Sequence, residues 1–409
     1  MIRSPGKVLA LLTGLNLLNY LDRLVVSAVL PKLQEELSLS NLEAGLLATT
    51  FLVSYFLASP SFGALADRGR RTPLLALGVG IWSLATVASG LAPTKLTLFL
   101  ARAFVGVGEA SYATIAPTLI DDLAPPEKKG RWLAIFFAAT PIGGALGYLI
   151  GGAVAGALGW RAAFFVAGGP GLVLALTCLA VAEPPRVLAK TKDNLLAVAK
   201  ELAPFKLFWA SAWGYCAQTA AIGAFSFWAP KFLYADHGLP LDTANFKFGT
   251  LTVLGGAIGT WIGGIMGDRA SSKDWGDGDP ERNRVRGFLR VCAWGSFIAA
   301  PAAAACFLVR DTTLFFVFVF VCEVGLFLST SPINAAILRA VPEHRRASAM
   351  ALTILLIHLL GDLWSPPAVG ALADRMPMRL ALMVLPVAIA ASGFFWWLKR
   401  PDERAAAAG

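Results

Sequence analysis

Twelve apolar runs, each about the length that crosses a bilayer as a helix, divide this chain from end to end. They fall near 8–30, 43–66, 73–92, 96–120, 131–158, 162–182, 205–233, 247–267, 287–309, 313–338, 347–371 and 379–398, separated by glycine, proline and charged punctuation. In hydrocarbon every backbone N–H and C=O needs an internal partner, so runs this long and this poor in charge are predicted to be helices. The expected fold is an all-α membrane protein with twelve transmembrane helices in two six-helix halves. At 56% hydrophobic and 15% charged, the 409 residues exclude an ordinary soluble enzyme and leave no room for a sizeable soluble domain.

The net charge of +9 reads as an address rather than as a nucleic-acid surface. Basic residues gather in alternate connections: Arg68, Arg70 and Arg71; Lys128, Lys129 and Arg131; Arg269, Lys273 and Arg282; Arg339, Arg345 and Arg346. This bias predicts both termini on the cytoplasmic side; the short, loop-poor chain is read as bacterial and therefore as an inner-membrane protein. The first run holds Asp22 and Arg23 and lacks a clear cleavage site, so it is read as the first span and not as a signal peptide. The longest break, 183–204, is expected to be a cytoplasmic linker between bundles at 1–182 and 205–400, with a tail at 401–409. The polar loop 268–286 reads as a basic segment against anionic headgroups. The five cysteines sit in apolar runs without a CxxC pair, and His237, His344 and His358 are too scattered to hold a metal.

The pattern Gly-x-x-x-Asp-Arg ends span two (GALADR, Gly63–Arg68), span eight (GIMGDR, Gly264–Arg269) and span eleven (GALADR, Gly370–Arg375). Span five ends in the same frame, GALGWR, with Trp160 in place of the Asp. Two of the four ends fall on each predicted side, so each half reads as two three-helix units of inverted orientation, the layout of secondary transporters. Glycine allows close helix approach, and an Asp at a helix end can face the positive N-terminus of another helix. Gly63, Asp67, Arg68, Arg70, Arg71, Gly264, Asp268 and Arg269 are therefore the expected gating latch, with Asp67 facing the start of span eleven and Asp268 the start of span five.

The twelve spans in two halves and the loop GALADRGRR resemble the major facilitator superfamily. Asn19-Tyr20-Leu21-Asp22-Arg23, the segment RAFVGVGEASYATIAPTLI (Arg102–Ile120) and Glu183-Pro184-Pro185-Arg186 are similar to its spinster branch. That resemblance implies the major facilitator fold and transport of lysophospholipids or sphingoid phosphates. Thr140-Pro141-Ile142-Gly143-Gly144 departs from the drug–proton antiporter signature, which has two residues between the Pro and the Gly pair. The Pro and Gly147-x-x-x-Gly151 are as well explained by bending and packing.

Charges deep inside spans carry the functional reading, because each costs about 2.5–3.5 kcal/mol at the bilayer centre unless paired or wet. At ~1.5 Å per residue, Asp22 lies about 22 Å along span one. From the opposite side, Arg102 lies about 10 Å and Glu109 about 20 Å into span four, on one helix face. Asp22, Arg23, Arg102 and Glu109 are thus expected at similar depth. Desolvation favours the neutral form of a carboxylic acid and a contacting arginine the charged one, so partner exchange can move a proton and bias opening. A fixed ion-pair network setting helix register is the alternative. Arg23 and Arg102 are also candidates to anchor an anionic head group. Glu323, His358 and Asp362 are a candidate second polar site. The aromatic residues of spans seven and ten, Trp213, Tyr215, Phe225, Phe227 and Trp228 with Phe315, Phe316, Phe318, Phe320 and Phe327, are read as an apolar wall or as lipid-facing residues.

P-loop, Gly-x-Ser-x-Gly and His-Glu-x-x-His motifs are absent. The reading is a non-enzymatic, cofactor-free carrier working by alternating access, proton-coupled and monomeric, with a small amphiphilic substrate, protons and membrane lipids as partners and no nucleic acid. Alternatives are a multidrug/proton antiporter, a small organic anion carrier, a channel or a lipid-modifying membrane enzyme.

Overall fold

The computed structural model describes residue 2 and residues 4–125, 128–183, 195–276 and 278–398. Half of the expected linker, 184–194, including Pro184, Pro185 and Arg186, and the tail 401–409 lie outside these residues. The first six spans are α1 (Pro5–Leu37), α2 (Asn41–Arg68), α3 (Arg71–Leu91), α4 (Lys95–Leu123), α5 (Lys129–Leu158) and α6 (Trp160–Leu179). After the short α7 (Leu195–Glu201) come α8 (Lys206–Asp236), α9 (Leu241–Ser271) and α10 (Pro280–Leu308). Span ten is broken into α11 (Thr312–Phe327) and α12 (Thr330–Arg339). Span eleven consists of α13 (Arg346–Ile357), a π-helical turn His358–Asp362 and α14 (Ser365–Ala373), and the last span of α15 (Met378–Ala381) and α16 (Val384–Trp397).

Among the described residues, eleven spans are long and apolar enough to cross a membrane. α8 completes the twelve: it is 31 residues long but carries polar groups such as Tyr215, Gln218 and Thr219. Those groups have a use. Gln218 donates to the Leu326 carbonyl (2.8 Å) and accepts from the Ser329 hydroxyl (2.9 Å), so it satisfies backbone and side-chain groups where span ten breaks. α1 overruns its apolar run at both ends, with 33 residues against the 8–30 expected, whereas α6 (Trp160–Leu179) stops short of the expected 182.

The chain forms two compact units, one of Met1–Lys190 with Phe227–Thr250, the other of Thr191–Ser226 with Leu251–Gly409. The first is centred on Leu12, Leu15, Trp82, Tyr112 and Phe136, with Tyr112 donating to the Leu12 carbonyl at 2.5 Å. The ends of α8 and α9 belong to it. Lys231 donates to Gln34 (2.5 Å) and Asn41, Asn245 to the Ala28 carbonyl (2.9 Å), and Phe248 meets Tyr148 edge-on at 5.3 Å. The second unit is centred on Phe208, Cys292, Ile333, Ile337 and Trp396, with Ser296 and Ser392 hydrogen-bonded at 2.8 Å.

Lipid tails are as apolar as leucine, so helices associate through close packing rather than hydrophobicity. Gly143, Gly147 and Gly151 form a stripe along α5 that lies on Leu17, Leu21 and Ala28 of α1. A Cβ on Gly147 would sit 2.7 Å from the Leu21 carbonyl oxygen, a backbone atom that cannot swing away. Gly147→Leu is therefore expected to destabilise the protein by about 1–3 kcal/mol, read as a lowered unfolding temperature in detergent. Gly130→Ala, with nothing within 4 Å of the new methyl group, should leave it unchanged.

Candidate functional site

The first unit brings the four charges of α1 and α4 together as two crossed ion pairs. Arg23 donates through Nε to Glu109 Oε2 at 2.7 Å, and Arg102 through Nη1 to Asp22 Oδ1 at 3.3 Å. Asp22, Arg102 and Glu109 are 1%, 3% and 0% exposed, so desolvation makes each depend on its partner. The Thr86 hydroxyl of α3 donates to the second oxygen of Asp22. The Arg23 guanidinium lies among the rings of Tyr20 (4.9 Å), Phe51 (5.0 Å) and Tyr55 (5.5 Å), and Arg102 lies 5.4 Å from Phe51. Phe51 thus borders both cations.

The site is incompletely satisfied. Among the described residues, Glu109 Oε1, Arg102 Nε and Asn19 Nδ2 are buried without a hydrogen-bond partner. One free acceptor beside free donors is an arrangement that can take up a proton or a polar ligand group. The sequence reading missed Thr86, Phe51 and Tyr55. A hydroxyl or aromatic residue in an apolar run has no periodic signature of its own; only its position against α1 and α4 makes it part of the site.

The second polar site divides. Glu323 on α11 is buried and receives a long hydrogen bond from Thr252 of α9 at 3.5 Å. His358 Nδ1 lies 2.9 Å from Asp362 Oδ2 within the π turn, whose extra residue shifts side chains off the ordinary helical register. Among the described residues no hydrogen bond joins Glu323 to that pair. Asp362 is backed by Gly223 of α8, where a Cβ would come within 2.5 Å of its own. The aromatic residues do not share one environment: Trp228 and Phe315 are buried, while Trp213 is 39% exposed.

Of the expected latch residues, Gly63 is buried and Asp67, Arg68 and Arg70 are exposed in the first unit; Asp268 and Arg269 are exposed in the second, where Gly264 is half-buried. Arg71 differs from its neighbours. It is buried and held inside the first unit, with Nη1 2.7 Å from Asp122 Oδ2 and 3.3 Å from the Thr118 hydroxyl, and Nε 3.0 Å from Glu183 Oε1. The other Glu183 oxygen accepts the backbone N–H groups of Arg71 (2.9 Å) and Thr72 (3.0 Å). Glu183 therefore caps the start of α3, whose own N-cap residue, Arg70, provides no capping side chain. In the fourth copy of the repeat, Gly159 turns the chain at φ +85°, and Trp160 and Arg161 both donate to Glu36 at 2.6 Å.

These features belong to a known class. A model of the Major Facilitator Superfamily matches residues 12–366, and the chain is a membrane transporter of that fold. It is similar to protein spinster homolog 1 of Homo sapiens, 35% identical over 404 residues, covering 91% of this chain and 74% of that one. The chain belongs to the spinster family of that superfamily. It is 33% identical over 393 residues to protein spinster of Drosophila melanogaster, covering 92% of this chain and 63% of the fly protein's length. A protein of Arabidopsis thaliana named probable sphingolipid transporter spinster homolog 2 is 31% identical over 432 residues, covering 96% and 86%. The fold is shared with a crystal structure of a bacterial homologue of the human lysosomal transporter spinster, inward-facing and unoccupied, at a TM-score of 0.84, 23% identity and 97% coverage of both chains.

Burial pushes the Glu183 carboxyl up, but the Thr72 N–H, then the Arg71 guanidinium, outweigh it and hold the group below the usual carboxylate range. Its contribution to stability is then complete above the ordinary carboxylate pKa and is lost as pH falls through the lowered value. Glu183→Gln should unfold at a lower temperature than the parent protein at pH 7, by the equivalent of about 1–3 kcal/mol. In thermal scans across pH the difference should shrink below the carboxylate range.

Proposed function

We propose that this protein is a proton-coupled carrier of an amphiphilic, lipid-like substrate of the lysophospholipid or sphingoid-phosphate type, working by alternating access. The single observation that supports coupling is the pair of crossed, buried carboxylate–arginine contacts between α1 and α4, with one oxygen of Glu109 unpartnered. A proton on Glu109 weakens its hold on Arg23 and frees the guanidinium for an anionic group. A proton on Asp22 does the same for Arg102, with the Thr86 hydroxyl keeping the carboxyl in place. Proton and anionic substrate then compete for, or cooperate through, the same two cations.

The lipid-like cargo is supported by the Arabidopsis relative, named a probable sphingolipid transporter, and by the aromatic rings around Arg23, which give an apolar wall beside a cation. The segment near the antiporter signature has packing roles, the Thr140 hydroxyl accepting a hydrogen bond from Asn16 at 3.3 Å and Gly143 lying against the Leu17 carbonyl, so it does not by itself favour the antiporter alternative. Glu323, His358 and Asp362 are a secondary polar site in the same reading. Gly63, Asp67, Arg68, Arg70, Gly264, Asp268 and Arg269 form the gating latch, with Arg71 holding α3 and α4 together beneath it. Both termini are assigned to the cytoplasmic side of a bacterial inner membrane, and the carrier to a monomer.

The test is transport in proteoliposomes, with and without an imposed proton gradient, of lysophospholipids, sphingoid phosphates, cationic drugs and sugars. A gradient-sensitive response to the amphiphiles alone is expected; broad export of cationic drugs overturns the substrate class. Glu109→Gln should keep folding and substrate binding but remove the pH dependence of transport. An unchanged pH profile in that variant would sink the coupling role and leave the crossed pairs as a fixed helix-register device.

A further inference from the structure

One arginine of the second unit stands outside the transport site with no charged partner among the described residues. Arg290 on α10 lies flat on the Trp397 ring, its guanidinium carbon 3.7 Å from the centroid, with Trp275 of the α9–α10 loop on another side at 5.9 Å. Among the described residues it makes no ion pair or hydrogen bond, and its Nη1 is covered without an acceptor. The acids at the start of α10 are engaged elsewhere: Glu281 takes Arg284 (2.7 Å) and Arg339 (3.2 Å), and Asp279 caps the first turn.

The surroundings are built rather than incidental. Trp275 is fixed by two hydrogen bonds, its backbone N–H to Asn283 Oδ1 (2.6 Å) and its indole N–H to the Ala270 carbonyl (2.7 Å). Trp397 is braced edge-on by Trp294 (5.6 Å) and Phe297 (5.9 Å). Arg286, Arg290 and Trp294 follow at four-residue spacing along one face of α10, so two cations about two and three turns into the helix give way to an aromatic ring one turn deeper. The rings below remain open: Trp294 is 52% and Phe394 59% exposed. A stacked guanidinium keeps its in-plane N–H donors for a bidentate acceptor, and tryptophan at this level packs on glycerol and the first methylenes of a lipid chain.

We propose that Arg290, with Trp397 and Trp294, is a site for the phosphate of an anionic phospholipid in the cytoplasmic leaflet. The phosphate takes the guanidinium edge remote from the covered Nη1, an edge that no carboxylate among the described residues claims. Arg286 adds positive charge one turn away, and the acyl chain runs down the Trp294–Phe394 surface. This site is separate from the α1–α4 charges and does not depend on what the protein transports.

Native mass spectrometry of the full chain, stripped of lipid in detergent and titrated with phosphatidylglycerol or phosphatidylcholine of matched acyl chains, tests it. Preferential retention of phosphatidylglycerol is expected, weakened about fivefold or more by Arg290→Gln and unaffected by Arg131→Gln, an exposed arginine of the first unit. Arg290→Lys, which keeps the charge but loses the planar fork, should fall between; it serves as the test if the Gln variant does not elute as a folded species. Equal retention of the two lipids, or an Arg290 variant indistinguishable from Arg131→Gln, overturns the proposal.

Discussion

The structure of the first unit depends on the cost of placing four charges among apolar helices. A charge in hydrocarbon survives only against an opposite charge or a dipole, so α1 and α4 must face each other at the depth of Asp22, Arg23, Arg102 and Glu109. Two contacts follow from that requirement, Arg23 with Glu109 and Arg102 with Asp22. The neighbours then have tasks set for them. α3 brings the Thr86 hydroxyl to the second oxygen of Asp22, and α2 brings Phe51 and Tyr55 to cover the cations. α5 contributes no charge but lines α1 with glycine, which lets the helix that carries two of the charges pack at backbone distance.

The same rule operates at the membrane edge with a different outcome. Arg71 meets two carboxylates and a threonine hydroxyl, and Glu183 also closes the open N–H groups of α3. This cluster ties α3, α4 and the segment after α6 together. Both Glu183 oxygens are engaged there, although Arg71 Nη2 lacks a partner among the described residues, whereas the site between α1 and α4 keeps an unpaired carboxylate oxygen as well as an unpaired guanidinium nitrogen. A carboxylate with both oxygens engaged suits a structural clamp; an unfilled acceptor suits a group that changes partners. The second unit has the repeat frame without this chemistry: Glu323 has a threonine instead of an arginine, and the His358–Asp362 pair is confined to one turn.

Much of the fold was legible because a bilayer reduces the choices. Run length predicted helices, and the number of runs predicted the architecture. The depths of Asp22, Arg102 and Glu109 followed from a fixed rise per residue, and the four charges do meet. Their crossed pairing was not legible, since depth says nothing about how two helices are rotated or which rotamers their side chains take. Arg71 was read as part of a motif shared with Arg68 and Arg70; that it is the buried one depends on Asp122 and Glu183, which are distant in sequence. The break in span ten was hidden for a similar reason: Leu328 and Ser329 look like any apolar–polar pair until Gln218 of α8 is seen to bond the Leu326 carbonyl and the Ser329 hydroxyl around them.

The sequence by itself determined what the bilayer dictates: helices, their number, their approximate ends, and the few charges that must be sheltered. Those properties are one-dimensional, set by hydropathy and by the rise of a helix. Only the tertiary structure decided who shelters whom. Arg23 could have taken Asp22 or Glu109, and Arg290 could have taken an acid but lies on Trp397 instead. Those choices are made by helix rotation and by close packing at glycine, and neither is encoded in the order of apolar and polar residues along a single span.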